Sequence, residues 1–229
     1  MQNTSAAIIV AAGTSRRMQG LDKLWTPLAG RIVLARAIDI FEASLLIESI
    51  VLVSSSERLA DASTLCNHEG WHKIIAIVPG GARRQDSVRA GLDALATVTP
   101  TTQWVMIHDA ARPLVTPAIL EAGLKAAQEH QAAIAAVPVK DTIKLVQEGR
   151  ITATLDRSQL WTIQTPQVFS FPLIHQAHHG PAADVTDDAT LIEQLGHPVA
   201  IFPGAYTNIK ITTQEDLLLA EAFIKGYKT

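Results

Sequence analysis

Ala6-Ala7-Ile8-Ile9-Val10-Ala11-Ala12-Gly13-Thr14-Ser15-Arg16-Arg17-Met18, with Lys23 five residues on, decides how the rest of the chain is read. An apolar run of strand length stops at a glycine, and small polar residues and then basic ones follow. A continuous apolar run of this length reads as a strand covered on both faces, as in parallel sheets. Ligands of open α/β sheets bind just beyond the carboxyl ends of such strands. Gly13, Thr14 and Ser15 would let backbone N–H groups approach a phosphate closely. Arg16, Arg17 and Lys23 would bring positive charge to it. The stretch therefore predicts a first strand followed by a loop that grips a polyphosphate; the plainer alternative is a surface loop with ordinary basic residues. It is not Gly-x-Gly-x-x-Gly, because Ser15 and Met18 stand at the later glycine positions. Nor is it the Walker loop, because Leu21 follows Gly20.

Working outward, the same rhythm repeats. Pro27-Leu28-Ala29-Gly30 reads as a turn, and residues 32–43 as a helix. Strands are expected over residues 49–53, 73–79 and 103–107, with helices at about 57–66, from near Gln85, and from Thr116-Pro117, with Thr116 as N-cap. Alternating strands and helices predict a mostly parallel, Rossmann-like α/β sheet with helices on both faces. The rhythm breaks after Ala132–Val139. Residues 141–170 give strand pieces around a Glu148-Gly149 turn and no helix. We read a β-arm at about 139–162, inserted in a single domain of residues 1–229 and packing on a second subunit. Helices at 171–179 and 186–195, the second capped by Thr186, precede short strands at 199–202 and 208–211. A capping box, Thr212-x-x-Glu215, opens the last helix.

Composition narrows the function. The chain has 229 residues, 48% of them hydrophobic, enough for a sizeable core. A net charge of -3 gives no basic field for nucleic acid. No apolar run reaches membrane-spanning length, so no membrane partner is expected. A single cysteine, Cys66, excludes an internal disulfide and fits a reducing cytoplasm.

Polar groups cluster at four predicted strand ends: Gly13–Arg17, Gly80–Arg84, His108–Arg112 and Lys210. In a parallel sheet these ends share one edge and can converge on one cleft. Asp109 could hold a divalent cation between phosphate oxygens, or simply cap a turn. Arg112 could pair with a phosphate, or with a surface carboxylate. Lys210, in Asn208-Ile209-Lys210-Ile211, could equally lie on a solvated strand face. His175, His178 and His179 invite a metal reading, but no carboxylate or cysteine stands at matching spacing, and the expectation is that they hold none. No base stands next to Cys66, and no Gly-x-Ser-x-Gly elbow is present.

The ordered set Ala11-Ala12-Gly13-x-x-Arg16-Arg17-Met18, Lys23, Gly80-Gly81-x-x-Arg84-x-Asp86-Ser87-Val88, His108-Asp109-Ala110-Ala111-Arg112-Pro113, Asp141-Thr142, Asp156-Arg157-x-x-Leu160-Trp161, Thr165-Pro166-Gln167, Thr186-Asp187-Asp188-Ala189 and Asn208-Ile209-Lys210 resembles the 2-C-methyl-D-erythritol 4-phosphate cytidylyltransferases over nearly the whole chain. The resemblance implies that CTP and methylerythritol phosphate give the cytidine diphosphate derivative and pyrophosphate, in isoprenoid-precursor synthesis. It also implies Mg²⁺ as cofactor and a homodimer whose arm completes the neighbouring site. By the same resemblance, Arg17, Lys23 and Lys210 would be catalytic, with Lys23 and Lys210 facing the reacting α-phosphate. Ala11, Ala12, Gly13, Gly81 and Ser87 would bind the nucleotide. Asp109, Arg112, Thr142, Arg157 and Thr186 would surround the acceptor, and Asp109 would hold the metal. The chain departs from the family pattern at Ser15, Asp22, Leu24, Ala82 and Thr207. Other readings are a cytidylyltransferase for another polyol phosphate, such as ribitol 5-phosphate, and a nucleotide-binding regulator without catalysis.

Overall fold

β1 (Ser5–Ala11) runs through the middle of the molecule, and its side chains alternate between two cores. Ala7, Ile9 and Ala11 point into one, and Ala6 and Ile8 into the other. That is why the run is apolar throughout rather than at every second residue. Ile8 and Ile9 are wholly buried, and each contributes roughly 1.5–3 kcal/mol by leaving water. The structure is a computed structural model that describes residues 4–13, 22–180 and 184–226.

A short hairpin of β2 (Pro27–Leu28) and β3 (Arg31–Ile32) follows, turning on Ala29 and Gly30 at φ 48° and 81°. Then come α1 (Val33–Ala43), β4 (Ser49–Ser54), α2 (Leu59–Glu69), β5 (Ile74–Pro79), α3 (Arg84–Val98), β6 (Trp104–Asp109), α4 (Pro117–His130) and β7 (Ala132–Pro138). The remainder is β8 (Lys144–Gln147), β9 (Arg150–Thr154), β10 (Trp161–Ser170), α5 (Phe171–His179), α6 (Asp188–Gln194), β11 (Ala200–Pro203) and α7 (Gln214–Gly226). Residues of α1, α2, α4 and α7 fill the first core, and residues of α3, α5 and α6 the second, so helices cover both faces.

Seven strands form one sheet in the order β11-β7-β10-β6-β1-β4-β5. All neighbours are parallel except β10, which runs antiparallel to both β6 and β7. From β1 the chain proceeds to β4 and β5 on one side, then returns through α3 to β6 on the other. The carboxyl ends of β1 and β6 therefore flank a topological switch point, the usual ligand crevice of such sheets. Among the described residues, no helix is long and apolar enough to cross a membrane.

β8 and β9 form a separate two-stranded hairpin, every residue of which is exposed. It turns at Glu148 and Gly149, both at positive φ, as a two-residue hairpin turn requires. The strand from Trp161 belongs instead to the main sheet. Three local readings are corrected. Residues 208–211 form no strand: the Asn208 backbone N–H closes a turn on the Ala205 carbonyl, and Ile211 N donates singly to the Ala111 carbonyl, while the Asn208 side chain bonds Gln164 Oε1 and the Thr165 carbonyl. The N-cap of α6 is Asp187, whose carboxylate accepts from Thr190 N at 3.1 Å, not Thr186. At the start of α7 the carboxylate reaching back to Thr212 is Asp216, not Glu215.

Candidate active site

The loop after β5 shapes the first wall of the crevice. A side chain on Gly80 would overlap the Ala12 methyl, and one on Gly81 would overlap Asp86. Gly80 thus lets this loop lie against the end of β1, and Gly81 lets it lie against the start of α3. Ser87 Oγ accepts from Gly81 N and donates to the Arg83 carbonyl, both at 3.2 Å. Its hydroxyl fixes the glycine loop, a positioning role for a residue that the sequence assigns to the nucleotide.

Across the crevice, Asp109 ends β6 and is 6% exposed. Arg84 Nε donates to its Oδ1 at 3.0 Å, and Lys210 Nζ to its Oδ2 at 2.6 Å. Arg84 Nη1 also donates to Asp188 Oδ2 at 2.7 Å, and Asp188 Oδ1 lies 3.1 Å from His178 Nε2. Charges of alternating sign therefore run Lys210, Asp109, Arg84, Asp188, and the His178 ring closes the chain. Burial opposes the charge on Asp109, but Arg84 and Lys210 outweigh it and hold the carboxyl well below the usual carboxylate range. Burial likewise opposes the charge on Asp188, and Arg84 and His178 keep its pKa low. Both carboxylates are ionised at neutral pH.

A second network fixes the backbone of Asp109. His108 is fully buried, and its Nε2 lies 3.1 Å from the Arg112 carbonyl, which can only accept. Neutral His108 therefore carries its proton on Nε2 and accepts at Nδ1 from Thr165 Oγ1 at 3.1 Å. The same Thr165 oxygen accepts from Asp109 N at 3.0 Å. Burial lowers the His108 pKa to about 4, so the ring is neutral near pH 7. Thr165 precedes a cis Pro166 and enters this network through β10.

Two cavities meet at these charges. One of about 510 Å³ is lined by Ala12, Gly13, Lys23, Gly81, Ala82 and Ser87, together with Arg84, Asp109 and Lys210. The other, of about 320 Å³, is lined by Arg112, Gln164, Thr165 and Thr186, again with Arg84, Asp109 and Lys210. Arg112 is held by the carbonyls of Asn208 and Ile163. Arg112 Nε and Arg84 Nη2 are buried donors with no hydrogen-bond partner among the described residues. Arg84 and Arg112 both line the second cavity, and two guanidinium groups beside one cavity suit a phosphate. Of the predicted residues, Ala11 is buried in the sheet and does not line either cavity. Thr142 and Arg157 are exposed on the arm, where Arg157 Nη1 donates to the Lys140 carbonyl. Arg17 lies outside the described residues.

Residues 5–226 match the family model described as 2-C-methyl-D-erythritol 4-phosphate cytidylyltransferase. The chain belongs to this family. A 2-C-methyl-D-erythritol 4-phosphate cytidylyltransferase of Dehalococcoides mccartyi strain 195 is 49% identical over 220 residues, covering 96% of this chain and 95% of that one. One from Geobacter metallireducens is 43% identical over 224 residues, covering 96% and 97%. The crystal structure of 4-diphosphocytidyl-2C-methyl-D-erythritol synthase from Anaerococcus prevotii superposes with a TM-score of 0.85 at 30% identity, covering 97% of this chain and 99% of that one.

The cytidylyltransferase family motifs include Arg84, Asp188 and Thr165, yet none of the three figures among the expected site residues. The signal for Arg84 was available, because it follows the glycine pair at a strand end. Asp188 and Thr165 carried no comparable signal. Asp188 reads as one of two acidic residues at a helix start, and Thr165 becomes adjacent to Asp109 only because β10 inserts between β6 and β7.

Proposed function

We propose that the first cavity takes CTP, the second takes methylerythritol phosphate, and the two substrates react at the wall formed by Arg84, Asp109 and Lys210. The activity follows from the family: cytidylyl transfer to 2-C-methyl-D-erythritol 4-phosphate, giving 4-diphosphocytidyl-2-C-methyl-D-erythritol and pyrophosphate. The observation that carries the division of substrates is that shared wall.

An acceptor phosphate oxygen attacks the α-phosphorus of CTP, and a new P–O bond forms. The bond from the α-phosphorus to the bridging oxygen breaks, and pyrophosphate leaves with the electron pair. The attacking oxygen is already anionic, so no general base is required, and catalysis rests on positioning and charge neutralisation. Lys23 and Lys210 meet the charge that builds on the α-phosphate and the leaving group, with Arg17 on the triphosphate. Arg112 and Thr186 hold the acceptor. Ala82, where the family often has aspartate, offers the base only its backbone, and Gly81 stands beside it.

The donor set at the wall fits Mg²⁺. Asp109 is a single ionised carboxylate facing the cavities, and Mg²⁺ is commonly held by one or two carboxylates plus substrate phosphates. When bound, the ion adds positive charge at the phosphate oxygens, with Asp109 as its protein ligand.

The arm completes the acceptor site of a second copy. Leu145, Val146 and Ile151 are between 48% and 65% exposed on it, an apolar surface that a homodimer would cover. Thr142 and Arg157 line neither cavity of their own chain, which supports their acting on the partner's. The single cysteine suits a cytoplasmic setting; burial pushes its thiol up to about 11, and it takes no part in the chemistry. Pyrophosphate release from CTP with a panel of acceptors tests the reading. Turnover with methylerythritol phosphate supports it, and turnover with ribitol 5-phosphate alone would replace the acceptor.

A further inference from the structure

Away from the active site, α3 and α5 bring together Asp93, His175 and His179. The two histidines are one helical turn apart and stack with 4.4 Å between ring centroids. Asp93 Oδ1 lies 3.6 Å from His175 Nε2 and 3.1 Å from His179 Nε2. One ligand atom from each residue falls within 4.8 Å of the other two. A tetrahedral ion with bonds of about 2.0–2.1 Å needs ligand atoms roughly 3.3 Å apart. The observed separations from Asp93 fall on either side of that length.

The hydrogen bonding also asks for a cation. His179 Nδ1 lies 2.8 Å from the His175 carbonyl, which can only accept, so Nδ1 carries a proton. In the neutral ring, Nε2 then turns a lone pair toward the Asp93 carboxylate. His175 Nε2 faces the same oxygen from beyond hydrogen-bond distance. The arrangement is relieved by a second proton on His179 or by a metal ion among the three groups. Metal-bound histidines characteristically donate their other ring N–H to a carbonyl or carboxylate, as His179 does here. Phe171 packs at 5.5 Å against His175 and steadies its ring.

We propose that Asp93, His175 and His179 form a binding site for a zinc-class divalent ion. Two imidazoles and one carboxylate suit Zn²⁺ or Co²⁺, whereas Mg²⁺ prefers oxygen ligands alone. Three protein ligands leave a fourth position for water. The sequence argues against a metal here because α5 offers no carboxylate of its own; α3 supplies it. His178, the third histidine, is turned inward to Asp188 and is not a ligand. A bound ion ties the end of α5 to α3, the helix that begins with Arg84.

Dialysed protein is titrated with Co²⁺ near neutral pH in excess Mg²⁺, following visible absorption, and Zn²⁺ is then added to displace it. The expected result is one saturable Co²⁺ site with the bands of nitrogen–oxygen coordination, emptied by one equivalent of Zn²⁺. His179→Ala and Asp93→Asn should each weaken binding at least about tenfold, with cytidylyl transfer unchanged, since neither touches the two cavities. Both positions are exposed, and circular dichroism checks the fold of each variant. Absence of saturable binding in the unmutated protein, or less than about tenfold weakening in whichever variants fold, overturns the site and leaves an imidazolium–carboxylate pair.

Discussion

Arg84 Nη1 donates to Asp188 Oδ2 at 2.7 Å, and the side chain of Asp188 is 1% exposed. The same guanidinium also holds Asp109, which Lys210 shares, so Arg84 bridges two buried carboxylates. Removing it leaves Asp188 without a cationic arginine and Asp109 with Lys210 alone. Arg84→Ala should lose about 3–5 kcal/mol of stability, the usual effect of breaking a buried pair from one side. Asp188→Asn should also destabilise, because Arg84 and His178 then lose their charged partner. Denaturant unfolding of each variant checks this, and a loss under about 1 kcal/mol for Arg84→Ala would contradict it.

The sheet was legible because β1 announces burial on both faces and because strand ends were marked by Gly13, Gly80-Gly81 and His108-Asp109. Asp109 and Arg112 stood out as charges just past an apolar run, though each had a plain structural alternative, whereas Lys23 and Lys210 were singled out as catalytic by the resemblance to the family motifs. The rest was hidden by topology. Nothing local says that β10 enters the sheet antiparallel and delivers Thr165 to the Asp109 amide. Nothing local says that Asn208 closes a turn on Ala205, so the strand expected around Lys210 is absent and the lysine bonds the same carboxylate. The Asp93 carboxylate beside His175 and His179 was equally invisible, because helical spacing cannot report a ligand from another helix.

Lys23 and Lys210 line the first cavity, and Lys210 the second as well. Lys23→Ala and Lys210→Ala should each lower kcat by roughly 10²–10³-fold with the fold intact, as for other single electrostatic donors. Steady-state kinetics with both substrates, alongside circular dichroism, measures the effect. Near-normal turnover in both variants would remove them from the mechanism.

His108 makes stability depend on pH. Its folded pKa, lowered to about 4, lies below its ordinary value near 6.5. Between these values the unfolded chain binds the proton and the native protein does not, so stability falls as pH drops through this window. The loss amounts to roughly 3 kcal/mol by pH 4. His108→Asn removes the titrating group, and its stability should change less between pH 6.5 and 4 than that of the unmutated protein. Parallel slopes in urea unfolding across that range would refute the assignment.

If Asp109 holds a divalent ion, as proposed, turnover depends on that metal. Exhaustive chelation should abolish pyrophosphate release, and Mg²⁺ or Mn²⁺ should restore it, because both take oxygen ligands. Asp109→Asn should raise the Mg²⁺ concentration needed for half-maximal rate. Full activity in excess chelator would exclude the metal.

Arg157 is exposed and bonded to the Lys140 carbonyl, while Lys23 lines the first cavity. If the arm crosses a two-fold dimer, the Lys23 and Arg157 of one chain serve the two different sites of the dimer. Lys23→Ala and Arg157→Ala, each expected to be strongly impaired alone, are mixed under conditions that exchange subunits. In a mixed dimer with crossed arms, the body that keeps Lys23 receives the arm that keeps Arg157, and one site is whole. The other site carries both defects. Random exchange makes about half of the dimers mixed, so activity should recover to about a quarter of the unmutated level. If Arg157 acts within its own chain, every site keeps one defect and nothing is recovered. Absence of recovery, with exchange verified by differential tagging, would confine the arm to its own subunit.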